Sequence, residues 1–189
     1  MSKAAMPRAL SAPVSYTPGF IADADTAYAR LRDELDWERR DSTPRMEYYS
    51  NDILVPYAYG EGRGRRSYDP KPWHPVVLAI RDALTARTKT VYEVCFLNFY
   101  ADQSQHLGWH SDDDDTMDDA RPIAIISLGV EREIWFRRKD EKGVHEAVTL
   151  GHGSLCLMAP GMQDTHDHRI PKAGFECGGR ISLTFRGFA

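Results

Sequence analysis

His110-Ser111-Asp112 sets an imidazole and a carboxylate two positions apart, so in an extended segment both point to one side and can reach a single ion. Alone, such a tripeptide is most often an ordinary surface or core pair. It gains weight from the C-terminal part of the chain, where His166 or His168 can supply a second imidazole. Two histidines and one carboxylate are the set that leaves positions open on non-haem Fe(II).

The segment Arg180-Ile181-Ser182-Leu183-Thr184-Phe185-Arg186 alternates, with Arg180, Ser182, Thr184 and Arg186 on one face and Ile181, Leu183 and Phe185 on the other. The apolar face packs. The two arginines have Cα atoms roughly 20 Å apart on an extended strand, and side chains leaning inward can grip opposite ends of a short dicarboxylate. For an edge strand the same residues would simply face solvent. Asn98 and Tyr100 share a face of another apolar strand, where a buried amide either pins the sheet or bonds an anionic ligand.

These residues need a rigid frame, and the pattern around them supplies one. Asp23 or Asp25 can cap a helix through Tyr28, Leu31 and Leu35, and Pro75 opens a second through Val76, Ile80 and Leu84. From Val91 onward the period is two: strands are expected at 91–100, 122–128, 133–138, 144–150, 154–158 and 180–186. Glycines between them suggest a sandwich or jelly roll, so the class is α+β with helices first and a β core after. The stretch 43–72, rich in Gly, Pro, Tyr and Arg, reads as hairpins forming a binding surface.

The 189 residues, 42% hydrophobic, fit one domain over 1–189, with 1–15 a flexible tail. A net charge of −4 means that any nucleic acid must be held by a local patch, and Arg63, Arg65 and Arg66 offer one for phosphates. Cys95, Cys156 and Cys177 show no pairing pattern, which fits a reducing cytoplasm. No signal peptide or apolar membrane span is visible, and a monomer away from membranes is expected. The acidic run from Asp112 to Asp119 lacks the glycine and final glutamate of an EF-hand loop, and 60–64 lacks the strand and helix of a dinucleotide site. His74, His106, His145 and His152 have no partner at ligand spacing.

Taken in order, Asn98-Phe99-Tyr100, His110-Ser111-Asp112, His168 before Ile170-Pro171, and Arg180-x-Ser182-Leu183-Thr184-Phe185-Arg186 resemble the AlkB-type Fe(II)/2-oxoglutarate dioxygenases, from about Pro44 to Phe188. Ile125-Ile126-Ser127-Leu128-Gly129 is also typical of them. The resemblance implies a double-stranded β-helix (jelly roll) core with N-terminal helices and a nucleotide-recognition lid over about 37–72. It implies Fe(II) on His110, Asp112 and His168, with 2-oxoglutarate and O2 as co-substrates. Arg180 would hold the distal carboxylate and Arg186 the end nearer the metal, assisted by Asn98, Tyr100 and Ser182.

The lid motifs resemble those of members that repair alkylated nucleic acid. They point to Arg45, Tyr57, Tyr59 and Trp73 as substrate residues, with Asp113 and Asp114 beside the metal. The implied activity is oxidative demethylation of bases such as 1-methyladenine and 3-methylcytosine in DNA, releasing succinate and formaldehyde; RNA, a protein or a small molecule is the alternative substrate. Two departures stand out. Many members carry an aromatic where this chain has His166, which leaves His166 as a second ligand candidate, although the spacing to Ile170-Pro171 and Arg180 favours His168. Trp37 lies near the base-replacing wedge of some DNA-acting relatives, but reads better as a helix-end core residue.

Overall fold

The structure, a computed structural model, describes residues 10–59 and 65–189, with the side chain of Tyr59 left undescribed. In chain order the elements are β1 (Val14–Thr17), α1 (Ala24–Glu34), β2 (Glu38–Arg39), β3 (Met46–Asn51), β4 (Tyr57–Tyr59), β5 (Arg66–Tyr68), α2 (Pro75–Thr88), β6 (Val94–Tyr100), β7 (Leu107–His110), β8 (Ile123–Gly129), β9 (Arg132–Arg138), β10 (Glu146–Leu150), β11 (Ser154–Met158), α3 (Met162–Thr165), β12 (His166–Ile170) and β13 (Arg180–Arg186). Two sheets form the jelly roll: a seven-stranded one in the order β1-β11-β8-β13-β6-β3-β2, and a four-stranded one in the order β10-β9-β12-β7. Their strand pairs are antiparallel. The β4–β5 hairpin stands apart as a sheet of its own.

The alternation in β13 and β8 explains the layering. Ile181, Leu183 and Phe185 join Ala124, Ile126 and Leu128 in a core beneath α1 and α2, which contribute Leu31, Ile80 and Leu84. On the opposite face of β8, Ile123 and Ile125 pack with Ile134, Phe136, Val148 and Leu150 of the smaller sheet. Buried on both sides, β8 reads as an unbroken apolar run. β8 closes at Gly129 with φ +92°, where a Cβ would collide with the Gly179 carbonyl and the Tyr28 ring. The helices start as expected: α1 after Asp23, and α2 with Pro75 at its first turn behind His74, whose Nδ1 accepts from the Val76 amide at 3.2 Å.

Two expectations are corrected here. The supposed tail 1–15 is built into the fold from residue 10: Ala12 is buried between the sheets, the Ser11 amide and hydroxyl both donate to Glu146, and Val14 pairs with Met158. A polar-looking start with little periodicity concealed an edge strand. The lid expected over about 37–72 does not stand apart as one element. β3 pairs along β6 and carries β2 on its other edge, so 38–39 and 46–51 belong to the large sheet, leaving the β4–β5 hairpin and flanking loops. The expected strands 91–100 and 144–150 are trimmed to β6 and β10, while β12, too short and too polar for the pattern, went unrecognised.

The fold is tested at β13. Leu183 is wholly buried, and Leu183→Ala should lower stability by about 2–5 kcal/mol in urea unfolding, with the slope m unchanged.

Candidate active site

His110 ends β7 and His168 lies opposite it on β12 as its cross-strand partner. Their rings stand 4.2 Å apart, and Asp112, just beyond β7, reaches both: Oδ1 is 3.7 Å from His110 Nε2 and Oδ2 is 3.5 Å from His168 Nε2. The donor atoms of all three lie within 4.8 Å of one another. His110 Nδ1 sits 2.9 Å from the Gly108 carbonyl, a contact that assigns the proton to Nδ1 and turns the Nε2 lone pair toward the cluster. Burial, reinforced by His110, pushes His168 down to about 3, so it is neutral and ready to ligate. Asp112 is shifted down as well: burial raises it, but His168, Arg186 and His110 together bring it below the usual carboxylate range. Two imidazoles and a carboxylate, with no thiolate, suit Fe(II). His166 lies outside the cluster, with Thr165 Oγ1 at 2.8 Å from its Nδ1 and the His145 ring beside it.

The floor of the same cavity is made by β6 and β13, whose register sets Asn98 opposite Ser182 and Tyr100 opposite Arg180. Asn98, Tyr100, Ser182, Thr184 and Arg186 line it. Arg186 donates to the backbone carbonyl of Asp112, tying the end of β13 to the loop that carries this carboxylate. Arg180, at the start of β13, is fully buried and lies behind the cavity lining; its Nε donates to Ser127 Oγ at 2.8 Å and its guanidinium lies 5.4 Å from the ring centre of Tyr100, which does line the cavity. Burial holds its pKa down, at about 10. Arg180 Nη1 has no hydrogen-bond partner, and among the described residues no carboxylate pairs with this cation. A buried guanidinium left in that state fits a bound carboxylate.

The sequence profile of the 2OG-Fe(II) oxygenase superfamily matches residues 14–186. The chain belongs to that superfamily. Among curated relatives, alpha-ketoglutarate-dependent dioxygenase alkB homolog 3 of Bos taurus is 30% identical over 92% of this chain. DNA oxidative demethylase ALKBH2 of Homo sapiens is 29% identical over 95% of it. The chain spans 65% of the bovine protein's length, less than two thirds, and 74% of the human one. A solved structure, that of OsALKBH1, superposes with a TM-score of 0.67 over 95% of this chain and all of that one, at 18% identity. The likeness is to the AlkB branch, and a 2OG-Fe(II) oxygenase implies Fe(II), 2-oxoglutarate and O2, which the two halves of the cavity suit.

At the mouth of this oxygenase cavity stands a stack of rings that the sequence had flagged only in part. Tyr57 lies nearly parallel to Tyr49 at 5.5 Å and to Tyr68 at 6.4 Å, with Phe96 edge-on to Tyr68 at 4.9 Å. Arg45 and Arg66 also line it. Arg66 lay in the basic run 63–66; Arg63 falls outside the described residues, and so does the side chain of Tyr59. Tyr49, Tyr68 and Phe96 were missed as site residues because their alternation reads equally as core. Three expected substrate residues are not brought to the cavity. Trp73 packs against the helix-side core under Arg81, whose guanidinium is 4.6 Å from its ring centre. Asp113 accepts from Ser111 and Lys139, and Asp114 accepts from Thr116, so both carboxylates brace their own loop. Trp37 donates from Nε1 to the Leu31 carbonyl and packs on Tyr48 and Phe99, the core role expected for it.

The orphaned cation yields a test. Arg180→Met removes a desolvated charge, so the protein without 2-oxoglutarate should melt no lower than wild type, while the rise in Tm that 2-oxoglutarate and Mn(II) give the wild type should vanish.

Proposed function

We propose that this chain is an oxidative demethylase of N-alkylated nucleobases such as 1-methyladenine and 3-methylcytosine in DNA, consuming 2-oxoglutarate and O2 and releasing succinate, CO2 and formaldehyde. The observation that carries the reading is the shared cavity: the His110, Asp112 and His168 cluster opens beneath parallel tyrosine rings and two arginines. Stacked rings accept any flat base, and arginines meet its acceptor atoms or the adjoining phosphate. The name of the human relative, a DNA oxidative demethylase, supports the same substrate class.

His110, Asp112 and His168 would hold Fe(II), which with 2-oxoglutarate and O2 supplies oxidation of the N-methyl carbon. Arg180 and Arg186 would take the ends of the co-substrate nearer to each, with Tyr100, Ser182 and Asn98 between them. Tyr57 would stack on the base, Arg45 would donate to it, and Val94 and Met117 would keep water from the reacting carbon. A methyl on the pairing edge is hidden in a duplex, so the base must enter flipped or from a single strand.

Mass spectrometry of 1-methyladenine and 3-methylcytosine oligonucleotides, in DNA and RNA and in single and double strands, checks this. The reading expects loss of one CH2 unit only when Fe(II), 2-oxoglutarate and O2 are all present, and none with His110→Ala or Asp112→Ala. Succinate formation with every oligonucleotide unchanged would transfer the chemistry to a protein or small molecule.

A further inference from the structure

Glu47 lies on β3 behind the ring stack, wholly buried and outside the lining of the cavity. A carboxylate so placed is costly unless cations and donors surround it. Arg45 Nη2 stands 2.8 Å from its Oε1 and Arg40 Nε 3.9 Å from its Oε2. Burial, and after it the nearby Glu47 charge, pushes the Tyr68 phenol of the hairpin up to about 12, so it stays protonated. Arg40, which pairs with Glu38 at 2.5 Å, covers the Tyr68 ring at 4.4 Å and donates to the Ser67 carbonyl at 2.7 Å. Neither Glu47 oxygen has a hydrogen-bond partner among the described residues, so the close ion pair with Arg45 is the contact that holds this carboxylate.

Of the two arginines near Glu47, Arg45 is the one that lines the cavity. Its Nε donates to Asn98 Oδ1 at 2.6 Å, and one terminal nitrogen faces Glu47. A guanidinium carries five N–H donors in a fixed plane, so pinning two edges fixes where the rest point. We propose that Glu47 is a positioning residue for substrate choice: it locks Arg45 to donate to an acceptor atom of the alkylated base. Because arginine only donates, the group read there is a ring carbonyl or an unprotonated ring nitrogen, such as O2 of 3-methylcytosine. The inference rests on the demethylase reading. Asn98, at the other end of Arg45, belongs to the wall assigned to 2-oxoglutarate, so the same contact joins the two binding regions.

The test is a double-mutant cycle on the full chain with a 3-methylcytosine oligonucleotide, reading KM and kcat separately. Glu47→Gln keeps the shape and removes the charge; it should raise KM about tenfold, the range for losing a charged hydrogen bond, with kcat retained. Arg45→Met should raise KM at least as much, and the double variant should be no worse than Arg45→Met alone, because Glu47 acts through Arg45. If Glu47→Gln fails to fold, Glu47→Asp serves in its place: a carboxylate drawn back from Arg45 should raise KM by a smaller factor. An unchanged KM, or effects that multiply in the double variant, would overturn the assignment. A wild-type chain that forms succinate but demethylates no oligonucleotide would instead remove the demethylase reading on which the inference rests.

Discussion

A guanidinium buried without a carboxylate of its own is the interaction on which the rest of this molecule turns. Arg180 sits wholly out of solvent, held by hydroxyls and a tyrosine ring rather than by an anion. Arg132, also buried on the other side of Tyr100, makes the contrast: its donors reach the carbonyls of Gln105 and Pro171. Those carbonyls occupy its N–H groups, whereas Arg180 retains an unpartnered nitrogen. The fold tolerates this cost because β13 is a central strand, flanked by β8 and β6, and its apolar face is locked beneath two helices. The desolvation that disfavours the lone cation is what would make a carboxylate bind strongly beside it.

The cluster of His110, Asp112 and His168 depends on the same strand. Arg186, at the far end of β13, bonds the backbone of Asp112, and Gln163 Oε1 accepts the Asp112 amide at 2.9 Å. Asp112 is therefore aimed from both sides before any ion arrives. His110 and His168 face each other because β7 and β12 pair, so the trio converges where the small sheet meets the large one. The aromatic mouth then rests on β3 and β6, and only the short hairpin remains separate from the two sheets. Rigid strands carry the groups that must meet within ångströms, and the less regular elements carry those that meet a variable substrate.

This division explains what the sequence could disclose. Alternation in 180–186 and the H-x-D pair are local patterns, and both survive into the structure with the faces they were assigned. Joining His110 to His168 across 58 residues rested on family likeness, because nothing local in β12 marks it as a strand. Glu47 was silent for a simpler reason: a lone glutamate in a tyrosine-rich strand reads as a solvent-facing charge, and its burial depends on the loop before β3, which brings Arg40 and Arg45, and on the hairpin, which brings Tyr68. Trp73 shows the converse error. Its place in a lid-like motif suggested a substrate contact, but the first turn of α2 draws it toward the helices.

Calorimetric titration with Mn(II) in place of Fe(II) and no O2 tests the account at its centre. If Arg180 is a carboxylate receptor at a fixed distance from the metal, one 2-oxoglutarate should bind per chain. Pyruvate, which keeps the 2-oxo acid but lacks the distal carboxylate, should then bind weaker by about tenfold or more, as expected for losing a charged hydrogen bond. Equal affinity for the two acids would show that the buried guanidinium recognises nothing, and the account built on it would fall.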